Sequence, residues 1–351
     1  MNTATSSVIT LENNISSISI DLNGGAITDF HLKENPVNPL SFAFSKEQMP
    51  ENNKAGAPYQ GHFLCLGRWG EPSTGEIIAG MPNHGQTANI LWNAEENNAT
   101  GLLHMQAVAA LEGLQVERTI ELDSNNPVFL VKEKVKSINP LGRLYNMVQH
   151  PTLAAPFLDN DVIVDCNGSV GFDQALYKDA ANNMLQWPGV KDEKGISFDL
   201  RNPSVPYNSV FSFVVEQDCE YGWVTAYSPK CNLLLGYAWQ RNDYPWVHLW
   251  QHWDGDDIKY RGIEFGTAGI HQPFKEILDT ATSLFGEKTF AYIDAGEIIT
   301  KNYFSFIHHT EPGFEGVTDI NIEDNTIQIK TKTGADINLK LTPQLIHELS
   351  K

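Results

Sequence analysis

The chain has 351 residues, with 24 Lys and Arg against 43 Asp and Glu, a formal charge of −19. That balance argues against nucleic acid or an anionic membrane surface as partner, since both are held mainly by Lys and Arg. A hydrophobic content of 41%, with 10% aromatics, supplies a large folded core rather than a disordered chain.

Period-2 alternation dominates from the start. Ile15–Leu22 sets Ile15, Ile18, Ile20 and Leu22 against Ser and Asp, Gly24-Gly25 breaks the run, and Ala26–Leu32 resumes it. Strands are expected next at Gly101–Leu111, Leu114–Leu122, Val128–Ser137, Val162–Asp165, Ser209–Glu216 and Gly222–Tyr227. The series continues at Leu233–Gln240, Pro245–Trp253, Tyr260–Phe265, Glu287–Asp294 and Glu297–His308, and ends at Val317–Glu323 and Thr326–Lys332. Helical spacing occurs only at Phe172–Met184 and Pro343–Leu349. So many strands without alternating helices exclude a doubly wound α/β fold. The expected class is all-β, a large antiparallel β-supersandwich with few short helices, forming a single domain over residues 1–351.

The N-terminal Met1–Ser7 has no basic start and no apolar stretch, and no apolar run approaches the roughly 20 residues of a membrane span. The four cysteines are scattered, without zinc spacing or a dense disulfide framework. The expected setting is a reducing cytoplasm.

Four stretches carry polar groups that a scaffold does not need. They are Gly67-Arg68-Trp69-Gly70-Glu71, Met81-Pro82-Asn83-His84-Gly85, Val148-Gln149-His150-Pro151 and Arg261-Gly262-Ile263-Glu264-Phe265-Gly266. The first two sit in Gly67–Asn89, a long loop with seven Gly or Pro, expected to be ordered and part of a site. Taken singly, each polar residue has a structural alternative: Arg68 pairing with Glu71 or Glu76, His84 and His150 bracing turns, Glu264 solvated at an edge. A fifth stretch, Pro245–Trp253, places Trp246, His248, Trp250 and His252 on one strand face. Such a face suits either a wet cleft, in which a ring stacks on a sugar, or a packed aromatic ladder. No HExxH, no EF-hand spacing and no GxSxG elbow occurs.

In order and separation, Leu22-Asn23-Gly24-Gly25-Ala26-Ile27, Gly67-Arg68, Pro82-Asn83-His84-Gly85, Gln149-His150-Pro151 and Gly262-Ile263-Glu264-Phe265-Gly266 resemble the aldose 1-epimerase (galactose mutarotase-like) family across roughly residues 10–310. The resemblance implies a supersandwich with a small-molecule sugar in its cleft and no metal or organic cofactor. It further implies His150 as general acid, Glu264 as general base, His84 near the ring oxygen and Arg68 on sugar hydroxyls. His248 and Trp250 are expected to bind sugar from the Trp/His face. Asp243 is a substrate-binding candidate from its place just before that strand. Pro151-Thr152-Leu153 depart from the family's usual aromatic residue after the acid His. A non-catalytic carbohydrate-binding protein on the same fold is the alternative from another class.

Overall fold

The structure, a computed structural model, describes residues 7–95, 101–191, 195–202, 205–342 and 345. Two large antiparallel sheets face each other. The larger has 12 strands. It runs from the N-terminal strands Val8–Glu12, Ser16–Asp21 and Ala26–Leu32 through His62–Leu66, Met147–Leu153, Asp257–Gly266, Trp246–Asp254 and Ser209–Val215. It closes with Gly168–Asp173 and three short strands ending at Asp199. The second sheet has eight strands, with Ile163–Cys166, Tyr221–Ser228, Leu233–Gln240, Ile298–His309, Val128–Ser137, Leu114–Leu122, Leu102–Ala109 and Asn93–Ala94 in spatial order. The expected all-β class is thus what the chain adopts.

Alternation explains how the sheets meet. Met147 and Leu153 on one strand, Val247 and Leu249 on another, and Ile263 and Phe265 on a third point inward. They join Val116, Phe129, Val131, Leu235 and Tyr237 from the opposite sheet in one continuous core. Each such aliphatic or aromatic side chain, fully buried, contributes about 1.5–3 kcal/mol relative to exposure.

The smaller sheet is also covered on its outer side. A three-stranded sheet, Val317–Glu323, Thr326–Thr331 and Ile337–Lys340, packs Val317, Ile320, Ile327 and Ile329 against Val128, Leu130, Leu234, Phe304 and Phe306. Burial on both faces is why Leu233–Trp239 reads as a continuous apolar run instead of a clean alternation.

Three expectations are corrected. Phe172–Met184 is not a helix: Phe172 and Asp173 are the last residues of a strand, and only a six-residue 3-10 turn follows, Gln174–Asp179, capped by Asp173. Glu287–Asp294 is two short strands: Glu287–Lys288 forms a hairpin with Ser283–Leu284, and Ala291–Ile293 pairs with the distant Arg143–Tyr145. A short helix at Thr74–Ile78 was hidden in the Gly-rich loop, although Ser73 and Glu76 form a full capping box there. The expected helix Pro343–Leu349 lies outside the described residues apart from Leu345. No helix among the described residues is long and apolar enough to cross a membrane.

Candidate active site

Strand order brings together residues that sequence order separates. Phe63 pairs with His150 across one strand boundary, Glu264 with His248 across another, and His248 with Ser212 across a third. Between them, the register that pairs Gln149 with Phe265 and Thr152 with Gly262 sets His150 opposite Glu264. Phe63, His150, Glu264, His248 and Ser212 therefore form one row across five adjacent strands, on the face turned away from the smaller sheet. The next row on that face holds Thr152, Gly262, Trp250 and Val210. Gly262 is required there, because a Cβ would stand 2.8 Å from Glu264 Oε1 and 3.2 Å from Trp250 Cβ.

The central pair is in direct contact, with His150 Nε2 3.2 Å from Glu264 Oε1. The His150 ring stacks on Phe63, centroids 4.4 Å apart at 18°, and its Nδ1 lies 3.0 Å from Thr152 Oγ1. Glu264 Oε2 accepts a hydrogen bond of 3.0 Å from Trp69 Nε1. Trp69 is itself gripped by two rings, His248 at 4.1 Å and His271 at 4.6 Å. Behind them His248 Nδ1 meets Ser212 Oγ at 2.8 Å, Gln174 Nε2 donates to Ser212 Oγ at 2.5 Å, and His271 N–H donates to Gln174 Oε1 at 3.0 Å. The indole is thus held by a network drawn from four segments.

The Gly-rich loop closes the other side. Gly67 and Gly70 take positive φ, and at Gly70 a Cβ would meet His271 Nε2 at 2.5 Å. His84 also has a positive φ, 60°, an uncommon conformation for a non-glycine residue. A polar cluster holds it there: Tyr59 donates to Asn83 O at 2.7 Å, Asn83 N–H donates to Asn53 Oδ1 at 2.9 Å, and Asn89 Nδ2 donates to Gly85 O at 2.7 Å. His84 Nδ1 accepts from Gly70 N–H at 3.3 Å, so the proton of the neutral ring sits on Nε2.

These groups surround a cavity of about 180 Å³. Glu264, His150, His84, His271 and Trp69 form one end, and Phe42, Phe44, Val210 and Trp250 form a wall. Water exclusion governs the charges. Burial pushes the Glu264 carboxyl up to about 8, with the Trp69 N–H pulling the other way. Burial also draws His150 down to about 3 and His271 to about 4, and holds His84 and His248 well below the usual imidazole value. In the central pair both shifts favour the uncharged forms, a protonated Glu264 carboxyl in contact with a neutral His150 imidazole. An imidazolium–carboxylate pair would contain the same single titrating proton on the other member of the contact.

Of the residues singled out in the sequence, His84, His150, Trp250 and Glu264 share this cavity. His248 lies in the same row but behind Trp69, where it supports the indole and does not line the cavity. Arg68 is turned to other work: its guanidinium pairs with Glu76 and lies 4.3 Å over the Phe274 ring. The capping box that orients Glu76 places a carboxylate beside Arg68, outside the cavity lining. Asp243 is also elsewhere, in a turn where it accepts from Lys301 Nζ at 3.3 Å. The expected face of Trp246, His248, Trp250 and His252 is real but divides in function. Trp246 packs into an apolar cluster with Phe172, while Trp250 borders the cavity.

Sequence reasoning missed His271 and the Phe42, Phe44 and Tyr59 contribution. All lie on irregular segments with no periodicity. The one available signal for His271 was its place seven residues after Glu264, following the small residues Gly266-Thr267-Ala268-Gly269.

No protein-family model matches the chain, and no curated protein matches it in sequence. Solved structures do match. A galactose mutarotase related enzyme from Lactobacillus acidophilus superposes with a TM-score of 0.59 at 15% identity, over 87% of this chain and 98% of that one. A candidate aldose 1-epimerase from Klebsiella pneumoniae gives 0.60 at 12% identity, over 87% and 80%. A galactose mutarotase-like protein from Clostridium acetobutylicum gives 0.56 at 14% identity, over 86% and 95%. The chain has the galactose mutarotase-like fold: two large antiparallel sheets face to face, with the His150–Glu264 cavity on the outer side of the larger one.

Proposed function

We propose that the protein is an aldose 1-epimerase-like isomerase, which interconverts the α and β anomers of a sugar by acid/base ring opening and reclosure. The observation that carries this reading is the 3.2 Å contact between His150 Nε2 and Glu264 Oε1 at the polar end of an aromatic-walled cavity. The anomeric oxygen and the ring oxygen of a pyranose are bonded to the same carbon. Two proton-handling groups in mutual contact can therefore address both at once.

Opening moves two protons in opposite senses. One member of the pair takes the proton of the anomeric hydroxyl as the electrons of that O–H bond form the carbonyl. The bond from the anomeric carbon to the ring oxygen breaks, and the ring oxygen receives a proton from the other member. After the open aldehyde turns about its bond to the next carbon, the transfers reverse and the other anomer closes. The family resemblance implies His150 as donor and Glu264 as acceptor. Burial favours the uncharged pair, with the proton on Glu264, and its transfer across the 3.2 Å contact to His150 gives that arrangement. The pair carries the same single proton at the start and end of the full cycle. General acid and general base each typically supply about 10²–10⁴-fold.

The remaining residues are assigned from position. His84 offers Nε2–H to a sugar oxygen, Trp250 lays its ring against the C–H face, and Trp69 fixes the Glu264 carboxyl. A small-molecule sugar is the partner in this reading, and the cytoplasm is its setting. The cavity of about 180 Å³ is smaller than the ~300–1,000 Å³ of pockets for drug-sized ligands, which fits one ring. The experiment is the decay of optical rotation of freshly dissolved α-anomers with wild-type protein and with Glu264→Gln. Acceleration lost in the variant supports the isomerase. Sugar binding with no acceleration in either protein supports the non-catalytic carbohydrate-binding alternative.

A further inference from the structure

The polar groups of the cavity are concentrated at one end. Glu264, His150, His84 and His271 cluster there, while the adjoining wall is built from Phe42, Phe44, Val210 and Trp250, with the Trp250 ring 6.1 Å from that of His150. The one phenol in the lining, Tyr59, has its hydroxyl engaged, donating to Asn83 O and accepting from the Asn53 amide. No Lys, Arg, Asp, Asn or Gln is among the described residues that line the cavity. The cations nearest in sequence to the site motifs are engaged elsewhere: Arg68 with Glu76, Arg241 with Glu287, and Arg261 with the carbonyls of Val162, Leu200 and Arg201.

A common hexose carries hydroxyls around its whole ring. With the anomeric edge on His150 and Glu264, a hydroxyl pressed against the apolar wall loses water at that contact and meets no polar side chain among the described residues of that wall, and that costs binding energy. A methyl or methylene at the same place gains from the contact. A phosphate on the sugar has no guanidinium or ammonium to receive it in the cavity.

We propose that the substrate of this cleft is a neutral deoxyaldose, with its anomeric edge at the His150–Glu264 pair and its deoxygenated carbon against the wall formed by Phe42, Val210 and Trp250. This rests on the isomerase reading and narrows it to a substrate class. Val210 is central to the assignment because it sits directly across from Trp250 in the strand pairing, on the wall itself.

The test compares initial rates of anomer interconversion for matched sugars: D-galactose with D-fucose, D-glucose with 6-deoxy-D-glucose and with 2-deoxy-D-glucose, and D-glucose 6-phosphate. The expected result is that at least one deoxy sugar exceeds its parent by about 10- to 100-fold in kcat/KM, the discrimination an apolar pocket exerts against an added hydroxyl. Glucose 6-phosphate is expected to show no acceleration. Parent sugars turned over as fast as every deoxy partner, or the phosphate turned over fastest, would overturn the deoxyaldose assignment and leave the isomerase reading standing. Acceleration of no sugar at all would overturn both. The near-isosteric Val210→Thr, with its fold checked by circular dichroism, puts a hydroxyl into the wall. It is expected to cut the deoxy preference several-fold by favouring the parent sugar. A preference that does not move would show that the deoxygenated carbon does not meet this wall.

Discussion

Glu133 and Glu264 are both buried carboxylates in the same sandwich, and adjacent residues of one strand serve them. Gln149 points into the space between the sheets, where its amide donates to Glu133 Oε2 at 2.5 Å, and His150 points to the outer face, where it meets Glu264. Glu133 is also held by the Arg118 guanidinium, at 2.8 Å from Nε and 2.6 Å from Nη2. Glu264 has no Lys or Arg partner among the described residues; it meets an imidazole and an indole N–H. The difference separates a carboxylate that ties two sheets together from one that can gain and lose a proton. Removing a buried guanidinium's partner leaves an uncompensated charge, whereas burial beside a neutral histidine raises the Glu264 carboxyl into the range where it can exchange its proton.

The sharpest way to break that comparison is to remove each charge in turn. Glu264→Gln and His150→Asn are each expected to cost about 10²–10⁴-fold in the rate of anomer interconversion, with the melting temperature little changed. Glu133→Gln is expected to do the reverse. It leaves the Arg118 guanidinium buried without its counter-ion, a loss on the order of 3–5 kcal/mol in denaturant unfolding, before any effect on the cleft. Equal stability losses at Glu133 and Glu264 would show that the two carboxylates do the same structural job.

pH sharpens the comparison next. The folded Glu264 carboxyl, raised to about 8 from an ordinary value of 4.5, binds its proton more tightly than the unfolded chain does. Its contribution to stability is present below about 4.5 and lost as pH rises through about 8. The cleft histidines act in the opposite sense. With folded values of about 3 at His150 and about 4 at His271 against 6.5, their contribution is present above 6.5 and lost as pH falls through those values. Melting temperature should therefore fall on both sides. The alkaline fall should be smaller in Glu264→Gln, as calorimetry from pH 4 to 9 would record. Activity should hold through neutral pH and decline above about 8, when the pair has lost its only proton.

Smaller effects probe the supports. Trp69→Phe keeps the ring and removes the N–H that Glu264 accepts. We expect about a tenfold loss in kcat with KM little changed, and an alkaline limb of the pH profile moved upward, since the carboxylate has lost a stabilising donor. A packing defect alone would lower stability without moving that limb. Trp250→Ala should raise the sugar KM about three- to tenfold, the scale of one ring contact, with only a modest loss of thermal stability. A large drop in melting temperature at unchanged sugar affinity would instead make Trp250 part of an aromatic ladder.

Many strands of this fold were legible because one face is buried and the other is not. Ile18 and Ile20, or Val116 and Ile120, alternate with polar neighbours along their strands, and that is enough to place them. The catalytic candidates His150 and Glu264 were legible by resemblance. Their contact was not, because it depends on strands 62–66, 147–153, 257–266, 246–254 and 209–215 lying side by side in that order. Arg68 illustrates the opposite failure. Its motif marked it for sugar, but the capping box of the short helix that follows supplied a carboxylate, Glu76, that claimed it. His271, Phe42 and Phe44 come from segments whose shape is set by what they cover, so no local pattern announces them.

The central claim is that His150 and Glu264 act as a single-proton acid/base couple on a sugar. Polarimetry of fresh α-anomers, with wild-type protein and Glu264→Gln side by side, tests it most directly. The account predicts faster decay of optical rotation for at least one aldose with the wild type and a rate at least about 100-fold lower with the variant. Equal acceleration by both proteins would contradict it.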